Sequence, residues 1–359
     1  MHSKKINIFL GGFINLTNAQ NLNCLALAKH LDKEKFSCYS LELYSGNLES
    51  QIGKIEELRV FKCFYPAKIS LYFGFLWGIW HCDVAYLPKG ELWKWNKFWL
   101  KVLRKKSFST LEGIIDKIAM KNAIHLFGSK VNYFKSRKYF DKDFSITSYL
   151  KKYNFDSIGL ESADEILYLG VDSTFFMMES IKKEFPKVLM IGNDLVRKGI
   201  YDYLDIAKSL PDTTFYLAGS GNGKIDVDLE IGKRNLNNVI YKGSVTTQQL
   251  LTLLKEVSIH ILPSRSEGFP KVILETAASG VPTIMYSDYG ASEWINHSVN
   301  GWVVKTKEDM ISILSTLIAN PEQLKNVASE AIQLASSFDW KLRVKAWEEV
   351  IIELENNNN

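Results

Sequence analysis

The sequence predicts an α/β protein of two domains with mainly parallel sheets. Three observations carry this expectation. Short apolar, β-branched runs alternate with helical patterns along most of the chain, as repeated βαβ units require. The chain opens on an apolar run at 6–10, then Gly11-Gly12, then a helical pattern from Ala19 to His30. That order is the opening of a nucleotide-binding α/β unit. The third observation is ILPSRSEGFPKVILETAASGVP at 261–282, which reads as a strand end, a polar loop and a helix. A length of 359 residues suits about two domains at roughly 150 residues each.

A first domain is expected over 1–165. Its early strands are 6–10, 36–43 and 58–61, with the helix at 19–30 between the first two. Gly11-Gly12 fit an ordinary tight turn as well as a phosphate-facing loop. Residues 82–88 read as a strand ending at Lys89-Gly90. From Glu91 to Lys106 the pattern is helical. Leu92, Trp95, Trp99, Val102 and Leu103 make one apolar face, and Lys94, Lys97, Lys101, Arg104 and Lys105 fill much of the rest. Aromatics with lysines on one helix suit a headgroup boundary, so a membrane surface is the expected partner here. Residues 108–111 form another strand, ending at Glu112-Gly113. A strand at 123–127 follows, with His125 as a packed core residue.

The second domain is expected over 166–339. Its strands are 188–191, 214–218, 239–243, 257–262 and 283–284, with Gly301 opening a further apolar run. Helices fill the intervals, giving right-handed βαβ crossovers. Residues 340–359 are read as a final helix and tail.

The chemistry concentrates at the strand ends of this second half. A helix N-terminus behind a strand binds anions through its free N–H groups and dipole. Pro270 suits the start of the helix within 261–282 and Gly280 its end. Glu267 lies in the loop, exposed by position, and Glu275 lies in the helix's first turns. Arg197 and Lys198, in GNDLVRKG at 192–199, precede another helix. Cations there oppose the dipole, and an anionic ligand would resolve the conflict. The Asp141/Asp143 and Asp226/Asp228 pairs read as solvated acids, and no His/Cys/carboxylate cluster suggests a metal. Gly219-Ser-Gly-Asn-Gly-Lys224 lacks the spacing of a phosphate loop.

Composition narrows the partners. A net charge of +4 does not imply nucleic acid. The apolar run at 6–10 is too short for a secretory signal, and no run of about 18 apolar residues suggests a span. Four scattered cysteines without CxxC spacing fit reduced thiols in a cytosolic protein.

SRSEGFPKVILETAASGVP at 264–282 resembles the signature of the retaining family 4 glycosyltransferases, with their E-G-F/Y-P/G-x4-E segment. Residues 165–172, EILYLGVD, resemble the same family's interdomain segment. The resemblance covers most of the second half and is weak over the first. It implies the GT-B fold: two Rossmann-like domains facing across a cleft, with the C-terminal helix crossing back to the first. It also implies a metal-independent glycosyltransferase without a cofactor, using a nucleotide sugar, UDP-linked, as substrate. Glu267 would lie near the donor sugar with Gly268, Phe269 and Pro270, and Glu275 would bind the ribose. Gly11 and Gly12 would face the diphosphate and Gly219 the base. The family's Gly-Arg-x4-Lys-Gly pattern puts the lysine at Lys198, but Asn193 stands where arginine is expected, leaving Arg197 to supply the charge. Glu267 and Lys198 are the catalytic candidates. On the acceptor side no first-domain histidine occupies an obvious loop, and Lys89 and Glu112 are the substitutes.

The resulting expectation is transfer of a sugar to a saccharide acceptor, lipid-linked, in surface polysaccharide or glycolipid assembly, on the inner face of the cytoplasmic membrane. Two alternatives stand beside it. One is an inactive nucleotide-sugar-binding subunit of a membrane complex. The other is a GT-B epimerase, a group that lacks the paired-glutamate signature.

Overall fold

The computed structural model describes residues 4–44, 54–64, 68–88, 90, 92–177, 187–287 and 289–357. The chain divides into two compact units, 1–169 with 340–359, and 170–339.

The first unit runs β1 (Ile6–Phe13), α1 (Ala19–His30), β2 (Phe36–Tyr44), β3 (Leu58–Phe64), α2 (Lys68–His81), β4 (Val84–Tyr86), α3 (Trp93–Val102), β5 (Lys106–Leu111), α4 (Lys117–Phe127), α5 (Lys130–Arg137), β6 (Lys142–Ser145) and α6 (Ser148–Ile158). All six strands are parallel, in the order β3-β2-β1-β4-β5-β6. Polar side chains set the helix starts. Asn18 accepts from the Asn21 amide at 2.9 Å and Asp116 from the Ala119 amide at 2.7 Å, satisfying N–H groups that the helix leaves free.

The second unit runs α7 (Ser173–Phe176), β7 (Val188–Gly192), α8 (Ile200–Ser209), β8 (Phe215–Gly219), α9 (Val227–Lys233), β9 (Val239–Tyr241), α10 (Thr247–Glu256), β10 (Ile259–Leu262), α11 (Lys271–Ala278), β11 (Thr283–Tyr286), β12 (Trp302–Val304), α12 (Lys307–Ala319) and α13 (Gln323–Ser337). Its six parallel strands are ordered β12-β11-β10-β7-β8-β9. The last helix, α14 (Trp340–Asn356), returns to the first unit. Trp347 anchors it there. Its ring is fully buried, meets Tyr86 edge-on at 5.2 Å, and its Nε1 donates to the Tyr168 carbonyl at 3.0 Å. A buried tryptophan with its N–H satisfied loses little to desolvation.

Several expectations need correction. Gly11 and Gly12 lie inside β1, not in the turn after it; that turn starts at Ile14. Residues 123–127 are the end of helix α4 rather than a strand, and His125 is exposed on it. The apolar residues there follow helical spacing, which a five-residue window cannot distinguish from a strand. Helix α2 is apolar over most of its length and carries no polar stripe to announce a period. The helix expected over 91–106 is shorter, and Lys106 already starts β5. Glu91 and Lys89 fall outside the described residues. The proposed membrane face of that helix points inward: Leu92, Trp95, Trp99 and Leu103 pack on the first unit's core, and only Val102 is exposed. Asp143 is not solvated. It sits in β6 and forms a forked, largely buried pair with Arg137. Asp141 pairs with Lys106 at 3.0 Å, and Asp226 caps α9.

Helix α2 presses on the sheet through Gly74 and Gly78. A Cβ at Gly78 would overlap the Phe9 ring, which is itself buried against Phe75. Alanine gains about 1 kcal/mol over glycine in a helix interior, but overpacking costs about 1–3 kcal/mol. Gly78→Ala is therefore expected to destabilise the protein, seen as a lower urea midpoint at unchanged slope. Gly113→Ala, with nothing within 4 Å of the new methyl, is the control.

Candidate functional site

The order of the second sheet reverses at β7: β8 lies on one side of it and β10 on the other. Open α/β sheets bind ligands at such a switch point, outside the carboxyl ends of the strands. The loops after β7 and β10 are the two that flank it, and they carry the residues singled out in the sequence.

Loop 193–199 turns sharply into α8. The Lys198 amide donates to the Asp194 carbonyl at 2.9 Å and the Ile200 amide to the Leu195 carbonyl at 2.9 Å. Gly199 takes φ +88, and a Cβ there would collide with the carbonyl of Pro263, the residue just after β10. Only glycine meets both demands. Gly192 clears a track for the Lys198 chain, since a Cβ on it would come 2.7 Å from Lys198 Cγ.

Lys198 reaches Glu267 along that track. Its Nζ lies 2.8 Å from Glu267 Oε1, and the two residues keep only 8% and 7% of their exposure. Arg197 Nη1 donates to the same Oε1 at 2.9 Å and to the Ser266 carbonyl at 2.7 Å. Glu267 is thus buried under two cations, not exposed as its loop position implied. Burying a charge is tolerable only when it is paired in this way. Ser264, fully buried, ties the loops again by donating from Oγ to the Arg197 carbonyl at 3.2 Å. The Gly290 amide donates to the Glu267 carbonyl at 3.2 Å. Sequence reasoning gave neither residue a role; the signal for Ser264 was its place two residues beyond a strand end within the quoted motif.

Below the pair, His260 in β10 is fully buried, with Nδ1 2.9 Å from Thr283 Oγ1. Burial, and then the Lys198 charge, push its pKa down to about 3, so the ring stays neutral. Pro270 sits at the N-cap of α11 rather than in its first turn. Glu275 is half-buried in the middle of that helix. Burial raises its carboxyl above the usual range, while Lys271 and Lys198 act in the opposite direction. Phe269 packs its ring edge-on against Trp294 at 4.6 Å and lies 6.0 Å from Phe338, which fixes the loop to the unit's core. Gly268 joins these residues in the same loop.

Asn193 is exposed at the head of the loop. Its neighbour Asp194 accepts from Lys224 Nζ at 2.6 Å, linking the β7 loop to the one after β8. Gly219 has a packing reason: at φ +128, a Cβ would overlap the Gly192 carbonyl. In the first unit, a Cβ at Gly11 would sit 2.5 Å from Leu87 and one at Gly12 2.8 Å from Cys24. Glu112 follows β5 and accepts from Asn23 Nδ2 at 2.9 Å, Thr110 Oγ1 at 3.0 Å and Tyr86 OH at 3.2 Å.

Chemically, the β7–β10 crevice offers two cations, a helix N-terminus and two carboxylates. That set suits an anionic, hydroxyl-bearing ligand. Residues 173–334 match the family model for glycosyl transferases group 1. An uncharacterized glycosyltransferase of Methanocaldococcus jannaschii is 25% identical over 252 residues, 67% of this chain and 70% of that one. The N,N'-diacetylbacillosaminyl-diphospho-undecaprenol alpha-1,3-N-acetylgalactosaminyltransferase of Campylobacter jejuni is 29% identical over 174 residues, 45% of this chain and 46% of its own. The match thus spans about half the length of that relative. The structure of Anabaena HepE in complex with UDP aligns with a TM-score of 0.79 at 17% identity, covering 97% of this chain and 100% of that one. The chain has the GT-B fold, and residues 173–334 of its second unit are similar to the glycosyl transferases group 1 family.

Proposed function

We propose that the protein is a metal-independent, retaining glycosyltransferase of the family 4 type, moving a sugar from a UDP-sugar to a lipid-linked saccharide at the cytoplasmic face of a membrane. The observation that carries this reading is the meeting of Lys198 and Arg197 on one Glu267 oxygen, beside the start of α8. Two cations at a helix N-terminus leave positive charge unspent, and a diphosphate supplies the matching anion.

In this reading the donor diphosphate lies against Lys198 and Arg197. As the glycosidic bond breaks, negative charge grows on the leaving group and the preformed cations stabilise it. Glu267 holds Lys198 in place and stands near the donor sugar. Glu275 accepts from ribose hydroxyls, which favours its charged form against the burial that disfavours it. Retention follows from the resemblance of the paired-glutamate segment. Support for a uridine donor comes from the UDP in the HepE structure, and support for a lipid-linked acceptor from the Campylobacter relative's name. Among the described residues no helix is long and apolar enough to cross a membrane. The inactive-subunit reading draws on Asn193, which replaces an expected arginine. Transfer of sugar by the purified protein from UDP-sugars to a lipid-linked acceptor, with the donor's anomeric configuration kept, tests the whole; no transfer and no donor hydrolysis would favour the subunit.

Three outcomes follow from the roles. Lys198→Ala is expected to lower kcat about 100-fold, in the range for losing one transition-state contact. A change confined to KM would make Lys198 a uniform binding residue. Glu275→Ala is expected to weaken UDP binding, measured by calorimetry, by roughly 1.5–3 kcal/mol, the worth of a hydrogen bond to a charged group. Turnover is expected to survive EDTA; loss restored by manganese or magnesium would end the metal-independent reading.

A further inference from the structure

Helix α2, KISLYFGFLWGIWH, shows its close side through its glycines. Gly74 faces Cys63, 2.9 Å from where its Cβ would be, and Gly78 faces Phe9. At 100° per residue, positions two away from each glycine stand on the opposite side. Those positions are Tyr72, Leu76 and Trp80, with Ile69 and Phe73 beside them at helical spacing. Ile69, Phe73 and Trp80 keep 74%, 60% and 61% of their exposure, and Tyr72 keeps 42%. Single exposed apolar side chains are ordinary, but a continuous aromatic stripe marks a contact surface.

Helix α3 borders this stripe. The Trp95 ring meets Tyr72 edge-on at 5.1 Å, and its Nε1 donates to the Tyr72 carbonyl at 3.1 Å. While α3 packs the half-buried Trp95 and Trp99 on the core, its other side exposes Phe98 and Val102 together with Lys94, Lys97 and Lys101. Neither helix contains an acidic residue.

We propose that the outward faces of α2 and α3 form one docking surface for a membrane rich in anionic lipid. Aromatics from α2 enter the headgroup boundary, and the α3 lysines meet lipid phosphates. The fourteen residues of α2 span about 21 Å, well short of a hydrocarbon core of about 30 Å, so the helix lies along the interface rather than crossing it. Charge selects this occupant over the alternatives. In a two-fold dimer the patch would meet itself and set lysines against lysines. Protein interface cores are depleted in lysine. The proposal deepens the lipid-linked reading, yet vesicle binding requires no sugar transfer, so each can fail without the other.

The test is co-sedimentation of the full chain with vesicles of phosphatidylcholine, alone or mixed with phosphatidylglycerol, at low and high salt. Two double variants are compared, Phe73→Ser/Trp80→Ser and Lys97→Glu/Lys101→Glu, with Lys325→Glu in the second unit as control. All the substituted side chains are exposed, and equal unfolding temperatures check that the variants fold. The expected result is salt-sensitive binding to anionic vesicles, lowered at least tenfold by either double variant and unchanged by Lys325→Glu. No binding by the parent protein, equal binding to neutral vesicles, or binding by either double variant equal to the parent's would overturn the proposal. So would a concentration-dependent dimer in sedimentation velocity that Phe73→Ser/Trp80→Ser abolishes, which would give the surface to a second copy.

Discussion

The second unit is built to hold one ion pair where its sheet changes direction. Lys198 and Glu267 are 69 residues apart in sequence and 2.8 Å apart in space. Taking both charges out of water is costly, and their attraction offsets it only in a fixed geometry. The surroundings supply that geometry. Gly192 makes room for the lysine stem, Gly199 lets the β7 loop approach β10, and Ser264 and Gly290 hold the loop backbones. Phe269 anchors the glutamate's loop among Trp294 and Phe338. Removing Glu267 would leave the buried Lys198 without its carboxylate, whereas removing Lys198 would leave Glu267 still paired with Arg197.

Much of this was legible in the sequence because local rules and the global fold agree here. The β7 and β10 strands are short apolar runs bounded by glycine and proline, and their loops hold the charged residues. Burial of Glu267 was not legible, because it depends on two cations arriving from a different loop. Nor was the neutral state of His260, which is set by a fully enclosed site on β10 and by the charge on Lys198 above it. The expectation that Glu275 meets the ribose came from the resemblance alone, since spacing does not distinguish the two glutamates.

The first unit was harder to read for the same physical reason throughout. Period is visible only when one face differs from the other. Helix α2 is apolar on both faces, close-packed through glycine on one and aromatic on the other, so no moment marks it. Helix α3 has the tryptophan stripe of an interfacial helix, yet that stripe is spent on α2 and the core. The aromatic face was expected on the 91–106 helix, and the packing of Gly74 and Gly78 shows instead which side of α2 carries its exposed aromatics.

The contact of Gly199 with the Pro263 carbonyl has a consequence for recombination between related chains. It joins the β7 and β10 loops backbone to backbone, with no side chain between them to absorb a mismatch. A loop graft that imports only 193–199 would bring a turn shaped for a different partner carbonyl. The two loops are the smallest unit that can be exchanged, and chimeras with a crossover between residues 199 and 263 divide it.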